Sequence, residues 1–322
     1  MGRTEFLLRR LGFGLMTVFI AATINFVIFR AAPGDAATQY QQCLTCSPGF
    51  RDELRAELGL DRPLLVQYVL YLRDLVQLDF GTSFQNQRPV SSELLGALAN
   101  TLPMLGLGLL IGLVLGVAVG VLSAWRRGRA TDVVLMSVSL FFYSLPVQWL
   151  GLVLLFAFSG SLPVSGIEDP YLRLTDPSTM EVVADRLRHL ALPSATIGLV
   201  WFGSWALLVR SSMLEALGED YVLTARAKGL RTWTIIRRYA LRNSLLPIVT
   251  LVLLTLGYTV AGTLLVETVF SYPGIGLELY RAVQNRDYAV LQGGFLLLTI
   301  AIVVANLLAD LLYFRLDPRI ES

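Results

Sequence analysis

Six apolar runs alternate with polar stretches along the chain, at about residues 11–29, 101–124, 133–158, 190–209, 245–269 and 290–314. Each is long enough for an α-helix crossing the roughly 30 Å hydrocarbon layer of a bilayer, which takes about 20 residues. The third run is interrupted by Ser144-Leu-Pro146. A proline inside a membrane helix frees a carbonyl and bends the axis, which fits a pore-lining or moving helix and a packed kink equally well. Gly108, Gly112, Gly116 and Gly120 recur every fourth residue in the second run and predict a groove that another helix backbone can enter. In the first run, Asn25 reads as a helix-to-helix hydrogen bond. Residues 64–78, LLVQYVLYLRDLVQL, space apolar side chains as a helix does and set Arg73 and Asp74 on the other face, predicting an amphipathic helix that lies on the outer membrane surface or on the transmembrane core.

The polar stretches orient the spans. With the N-terminus inside, 15 basic residues fall on the inner side and 11 on the longer outer segments, which satisfies the positive-inside bias and puts both termini in the cytoplasm. Arg3, Arg9 and Arg10 precede a first run longer than the about 7–15 residues of a signal-peptide core, so it reads as an uncleaved span rather than a leader. The expected organisation is a transmembrane helix in 1–30, an extracytoplasmic loop with the amphipathic helix in 31–100, a five-helix core in 101–314 with a cytoplasmic loop at 210–244, and a tail at 315–322.

Composition excludes several classes. The 322 residues are 55% hydrophobic and 16% charged, with mean hydropathy +0.62, too few charges to coat a soluble surface. Lys228 is the only lysine and no glycine-rich loop precedes it, so the chain has no P-loop of its own. One histidine (His189, read as an interfacial polar residue) and two cysteines leave little material for a metal or nucleophilic centre, and no cofactor is expected. Cys43-Leu-Thr-Cys46 admits a redox pair, half of a metal site or a small disulfide; outside the membrane the disulfide is favoured. Glu267 and Asp310 are the ionisable residues within spans, and neither lies at the midplane, where ion-coupled carriers place theirs.

Residues 219–247, EDYVLTARAKGLRTWTIIRRYALRNSLLP, lie between two apolar runs and carry, with Arg210, seven basic residues. Each charge costs about 2.5–3.5 kcal/mol at mid-membrane, so the stretch is an inner loop. Within it Thr224-Ala225-Arg226-Ala227-Lys228 is a short helix of small and basic residues stopped by Gly229 and followed by Leu230, a shape suited to docking in a partner's groove.

These residues resemble the cytoplasmic coupling loop of ABC importer permeases, and the string from Asp220 and Tyr221 through Leu230 and on to Ala240-Leu-Arg-Asn-Ser-Leu-Leu-Pro247 resembles the dipeptide, oligopeptide and nickel branch. Gly229 and Pro247 are separated by the longer spacing of that branch. Leu58-Gly-Leu-Asp-Arg-Pro63, Asp79-Phe-Gly-Thr-Ser83, Pro89-Val90, the string from Val266 to Gly276, Arg286-Asp-Tyr288 and Leu316-Asp-Pro-Arg319 are similar to it as well. Departures are Leu78-Asp-Phe-Gly81 for Gly-Asp-Leu-Gly, Gln148 for an aromatic residue and Ala289 for proline.

The resemblance implies an all-α membrane protein of six transmembrane helices with the type I ABC importer permease fold, in the bacterial inner membrane. It implies a non-catalytic permease subunit forming half of a path for peptides, with nickel chelates as the alternative cargo. The implied partners are a homologous second permease, two ABC ATPases and an extracytoplasmic binding protein. Asp220, Tyr221, Thr224, Ala225, Arg226, Ala227, Lys228, Gly229 and Leu230 would couple to the ATPases. Tyr143, Pro146, Gln148 and Glu267 are candidates for the path or its gate, with a hydrogen-bonded interfacial carboxylate the favoured reading of Glu267. A stand-alone carrier or channel would need broken midplane helices bearing charges, and a membrane enzyme a nucleophile, dyad or metal cluster; the sequence offers neither.

Overall fold

The computed structural model describes residues 3–31, 61–83, 85–242, 244, 248, 251–252, 255 and 262–316. These form α1 (Arg3–Ala31), α2 (Leu64–Val76), α3 (Val90–Trp125), α4 (Ala130–Ser144), α5 (Val147–Phe158), α6 (Thr179–Gly218), α7 (Asp220–Ala227), α8 (Thr232–Ile235), α9 (Leu264–Val269), α10 (Ile275–Gln284) and α11 (Tyr288–Leu316). Extended pairing among the described residues is limited to one bridge between Thr82 and Pro89. Cys43, Cys46 and most of the expected fifth span at 245–269 lie outside the described residues.

Among the described residues, four helices are long and apolar enough to cross a bilayer, within α1, α3, α6 and α11. A fifth span exists if α4 and α5 are one crossing, and here the expectation of a kinked helix needs correcting. The two pieces meet at 104°. Leu145 and Pro146 are both extended (ψ 134° and 131°), so the helix ends and restarts. A proline both lacks an N–H and pushes the residue before it out of the helical region, which converts the expected bend into a break.

The glycine stripe receives α6. A methyl placed on Gly108 would lie 2.8 Å from Ile197 Cβ, one on Gly112 3.0 Å from the Gly198 carbonyl, and one on Gly116 2.9 Å from Trp205 Cβ. Among the described residues α3 and α6 share the most extensive helix pairing, and Trp205, Ala206, Val209 and Met213 are fully buried along it. Close backbone approach of this kind holds membrane helices together by dispersion where no hydrophobic drive exists. α6 outruns the bilayer: its 40 residues span about 60 Å at 1.5 Å per residue. It starts at residue 179 because Ser178 and Glu181 form a reciprocal capping box, well before the apolar run expected to begin at 190. That loop is held by Glu168, which accepts from Arg173 (2.6 Å) and Arg186 (3.0 Å). The Arg173 hydrogen bond, opposed by burial and assisted by Arg186, keeps its carboxyl below the usual range.

α1 packs on α11. Asn25 donates to the Gln292 carbonyl at 2.8 Å, the helix-to-helix bond its position predicts, and Arg10 pairs with Asp310 at 3.1 Å. α2 forms at 64–76, as its apolar spacing predicts, and lies against α1 through Tyr68, which bonds Thr23 (2.7 Å) and meets the Phe26 ring edge-on at 5.2 Å.

Candidate functional site

α6 ends at Gly218, and α7 follows at once. Asp220 in its first turn and Arg226 in its last oppose the helix dipole favourably. Its end is a Schellman stop: Gly229 N–H donates to the Arg226 carbonyl (2.9 Å) and Leu230 N–H to the Ala225 carbonyl (3.2 Å). Gly229 takes φ +74°, the left-handed conformation that glycine enters without strain. Leu230 then folds back on a small cluster of Val222, Ala225 and Ile235.

That cluster divides the candidate residues. Val222 and Ala225 are buried (1% and 3% exposed) and fix α7 to its own subunit. Leu223, Thr224, Arg226, Ala227 and Lys228 are exposed, so the outward face is small and basic around one large apolar side chain, Leu223. Ala225 therefore serves the internal packing, and Ala227 is the small residue offered to a partner. Arg231, Arg237 and Arg238 are exposed on α8 and the π-helical turn Ile236–Ala240 that continues it.

Arg210 stands apart from this basic face. It lies inside α6 and gives a two-pronged bond to Asp132 (2.8 and 2.9 Å), which also accepts from Ser123 and from Gly128 N–H (3.1 Å). Asp132 is 4% exposed, so this ion pair ties α4, the turn after α3 and α6 into one unit just above α7. Asp132→Ala would strand a guanidinium in a mostly buried place. Because the Arg210 side chain is 26% exposed, the cost should fall to about 2–3 kcal/mol, below the about 3–5 of a fully buried pair. A thermal midpoint lowered by several degrees checks this, and an unchanged one contradicts it.

At the opposite end, Tyr143, Pro146 and Gln148 are exposed around the α4–α5 break, with Tyr143 Cβ against Gly203 of α6 at 2.9 Å from where a methyl would sit. Glu267 is fully buried. Its carboxylate accepts from Thr101 Oγ1 (2.8 Å) and Leu277 N–H (2.8 Å), while Thr101 Oγ1 accepts from Ile275 N–H (2.9 Å). Glu267 and Thr101 thus cap the N-terminus of α10 and lock it to α3 and α9. Among the described residues Glu267 is enclosed and hydrogen-bonded, which is the geometry of the hydrogen-bonded reading. A parallel lock holds α11, where buried Asp287 bonds Ser83 Oγ (2.6 Å) and Val290 N–H (3.3 Å). Nothing in the apolar runs announces α10, and the locks join residues more than 160 positions apart; only the Ser178-x-x-Glu181 box was open to reading from local spacing.

Several span-length helices and an exposed, tightly stopped short helix make this a helical, polytopic membrane protein among the described residues. The chain is a member of the family of binding-protein-dependent transport system inner membrane components: the family's sequence model matches residues 116–322, and that of its N-terminal region matches residues 3–105. It is 37% identical to the dipeptide transport system permease protein of Escherichia coli (strain K12), covering 98% of both chains. It is 38% identical to the di/tripeptide transport system permease protein of Pseudomonas aeruginosa (strain UCBPP-PA14), again over 98% of each. The dipeptide transport system permease protein of Alkalihalophilus pseudofirmus is 36% identical over 95% of this chain and 96% of its own.

Proposed function

We propose that the chain forms half of a translocation path for short peptides in an ABC importer, receiving work from ATPase subunits through α7. One observation carries this reading: a short helix directly after the longest span-length helix, stopped by a left-handed glycine and exposing Leu223, Thr224, Arg226, Ala227 and Lys228, in a family of binding-protein-dependent transport components. The peptide names of the relatives favour peptide over a nickel chelate. In this reading the chain crosses the membrane six times with both termini cytoplasmic, the fifth crossing falling in 245–269 and the loop at 210–244 facing the ATPases. A second permease completes the path, two ATPases hydrolyse ATP and an extracytoplasmic binding protein delivers the cargo. The chain itself performs no catalysis. ATP binding closes the ATPases, α7 moves with them, and the bundle rocks between inward-open and outward-open states as an ensemble shift between two packings.

The division within α7 supplies the test. Ala227→Trp places bulk on the docking face and should abolish stimulation of ATP hydrolysis by peptide-loaded binding protein while leaving the thermal midpoint within about 1 °C, as surface changes do. Ala225→Trp overpacks the internal cluster, at about 1–3 kcal/mol, and should lower the midpoint. Wild-type coupling in Ala227→Trp removes α7 from the interface.

A further inference from the structure

A cleft of about 460 Å³ opens between α7, the end of α3 and the start of α8. Its floor is apolar, with Ala124, Leu217 and Ile236, and its rim carries Arg127, Arg226 and Trp125. No acidic side chain lines it among the described residues. Arg127 and Arg226 make no ion pair there either: the described arginines with salt bridges are elsewhere. Trp125, 48% exposed, lies 6.2 Å from the ring of Trp233, 56% exposed. Two half-exposed indoles at the end of a membrane helix mark headgroup depth, where such rings concentrate.

Two unpaired arginines above an apolar floor at that depth match a ligand with an anionic head and hydrocarbon beneath it. We infer that this cleft binds an anionic phospholipid of the bilayer, its phosphate between Arg127 and Arg226 and its acyl chains along the floor toward α3. A soluble anion would gain nothing from the apolar floor. The bound lipid ties α7 to the end of α3. The inference rests on the proposed placement of α7 beyond the inner face of the bilayer. Its readout is lipid contact rather than transport, so failure here leaves the transport reading standing.

The test uses the assembled transporter in nanodiscs of phosphatidylcholine containing a low fraction of either brominated phosphatidylglycerol or brominated phosphatidylcholine. Quenching of the Trp125 contribution, taken as wild type minus Trp125→Phe, is measured for each. Two arginines at an anionic headgroup correspond to enrichment of roughly thirtyfold for phosphatidylglycerol. Arg127→Gln with Arg226→Gln should bring the two lipids level, and Arg127→Lys should keep the preference. Equal quenching in wild type, or a preference that survives the double glutamine variant, overturns the inference. So does loss of the preference on adding excess inorganic phosphate, which would mark a soluble-anion site. Failure of both brominated lipids to reach Trp125 would show a protein partner covering the cleft, and also overturns it.

Discussion

Gly229→Pro is expected to leave the permease inserted and its ATPases active while peptide uptake falls on the order of a hundredfold. Proline fixes φ near −65°, whereas residue 229 sits at +74°. It also deletes the N–H that bonds the Arg226 carbonyl and pushes Lys228, now at φ −75° and ψ 0°, toward extended conformations. The penalty is about 3 kcal/mol or more, and an eight-residue helix has little intrinsic stability to absorb it. At about 1.4 kcal/mol per tenfold, the correctly stopped α7 becomes roughly a hundredfold rarer. Gly229→Ala is the milder companion. A methyl there meets nothing within 4 Å, so only the left-handed backbone cost of about 1–2 kcal/mol remains. Uptake should fall roughly tenfold, with ATP hydrolysis no longer responding fully to the binding protein. Uptake into proteoliposomes, read beside ATP hydrolysis, separates uncoupling from loss of protein.

The second large effect lies at the other end of the molecule. Glu267→Ala removes the acceptor for Thr101 Oγ1 and for Leu277 N–H, both buried. Each orphaned donor costs about 1–3 kcal/mol, and the start of α10 loses its side-chain acceptor. The sum of about 3–5 kcal/mol should lower the thermal midpoint by roughly 10 °C. Gly274→Ala tests the same lock from the other side, because its methyl would run into the Glu267 carboxyl group and lie 2.5 Å from Thr101 Oγ1. The two changes act on one contact set, so the double variant should cost less than the sum. A gate residue would instead alter transport with the midpoint unmoved.

How much of this the sequence disclosed depends on distance along the chain. Apolar length placed α1, α3, α6 and α11, spacing placed α2, and the glycine stripe foretold close approach; all are local signals. Pro146 marked a disturbance, yet whether a membrane helix bends or breaks depends on the packing on both sides, including Gly203 against Tyr143. Arg210 looked like one more loop charge because its partner, Asp132, is 78 residues away. Glu267 and Thr101 are separated by 166 residues, so neither residue alone suggests the cap they build. The coupling segment was legible as a helix with a glycine stop. Its two faces were not separated, since Ala225 and Ala227 are the same residue type and only tertiary packing on Ile235 and Leu230 tells them apart.

The most direct test is ATP-driven peptide accumulation by the purified permease pair in proteoliposomes, with and without the ATPase subunits. Accumulation against a gradient should require both the ATPases and an intact α7, and the permease pair alone should show none. Uphill accumulation without any nucleotide-hydrolysing subunit would contradict the account.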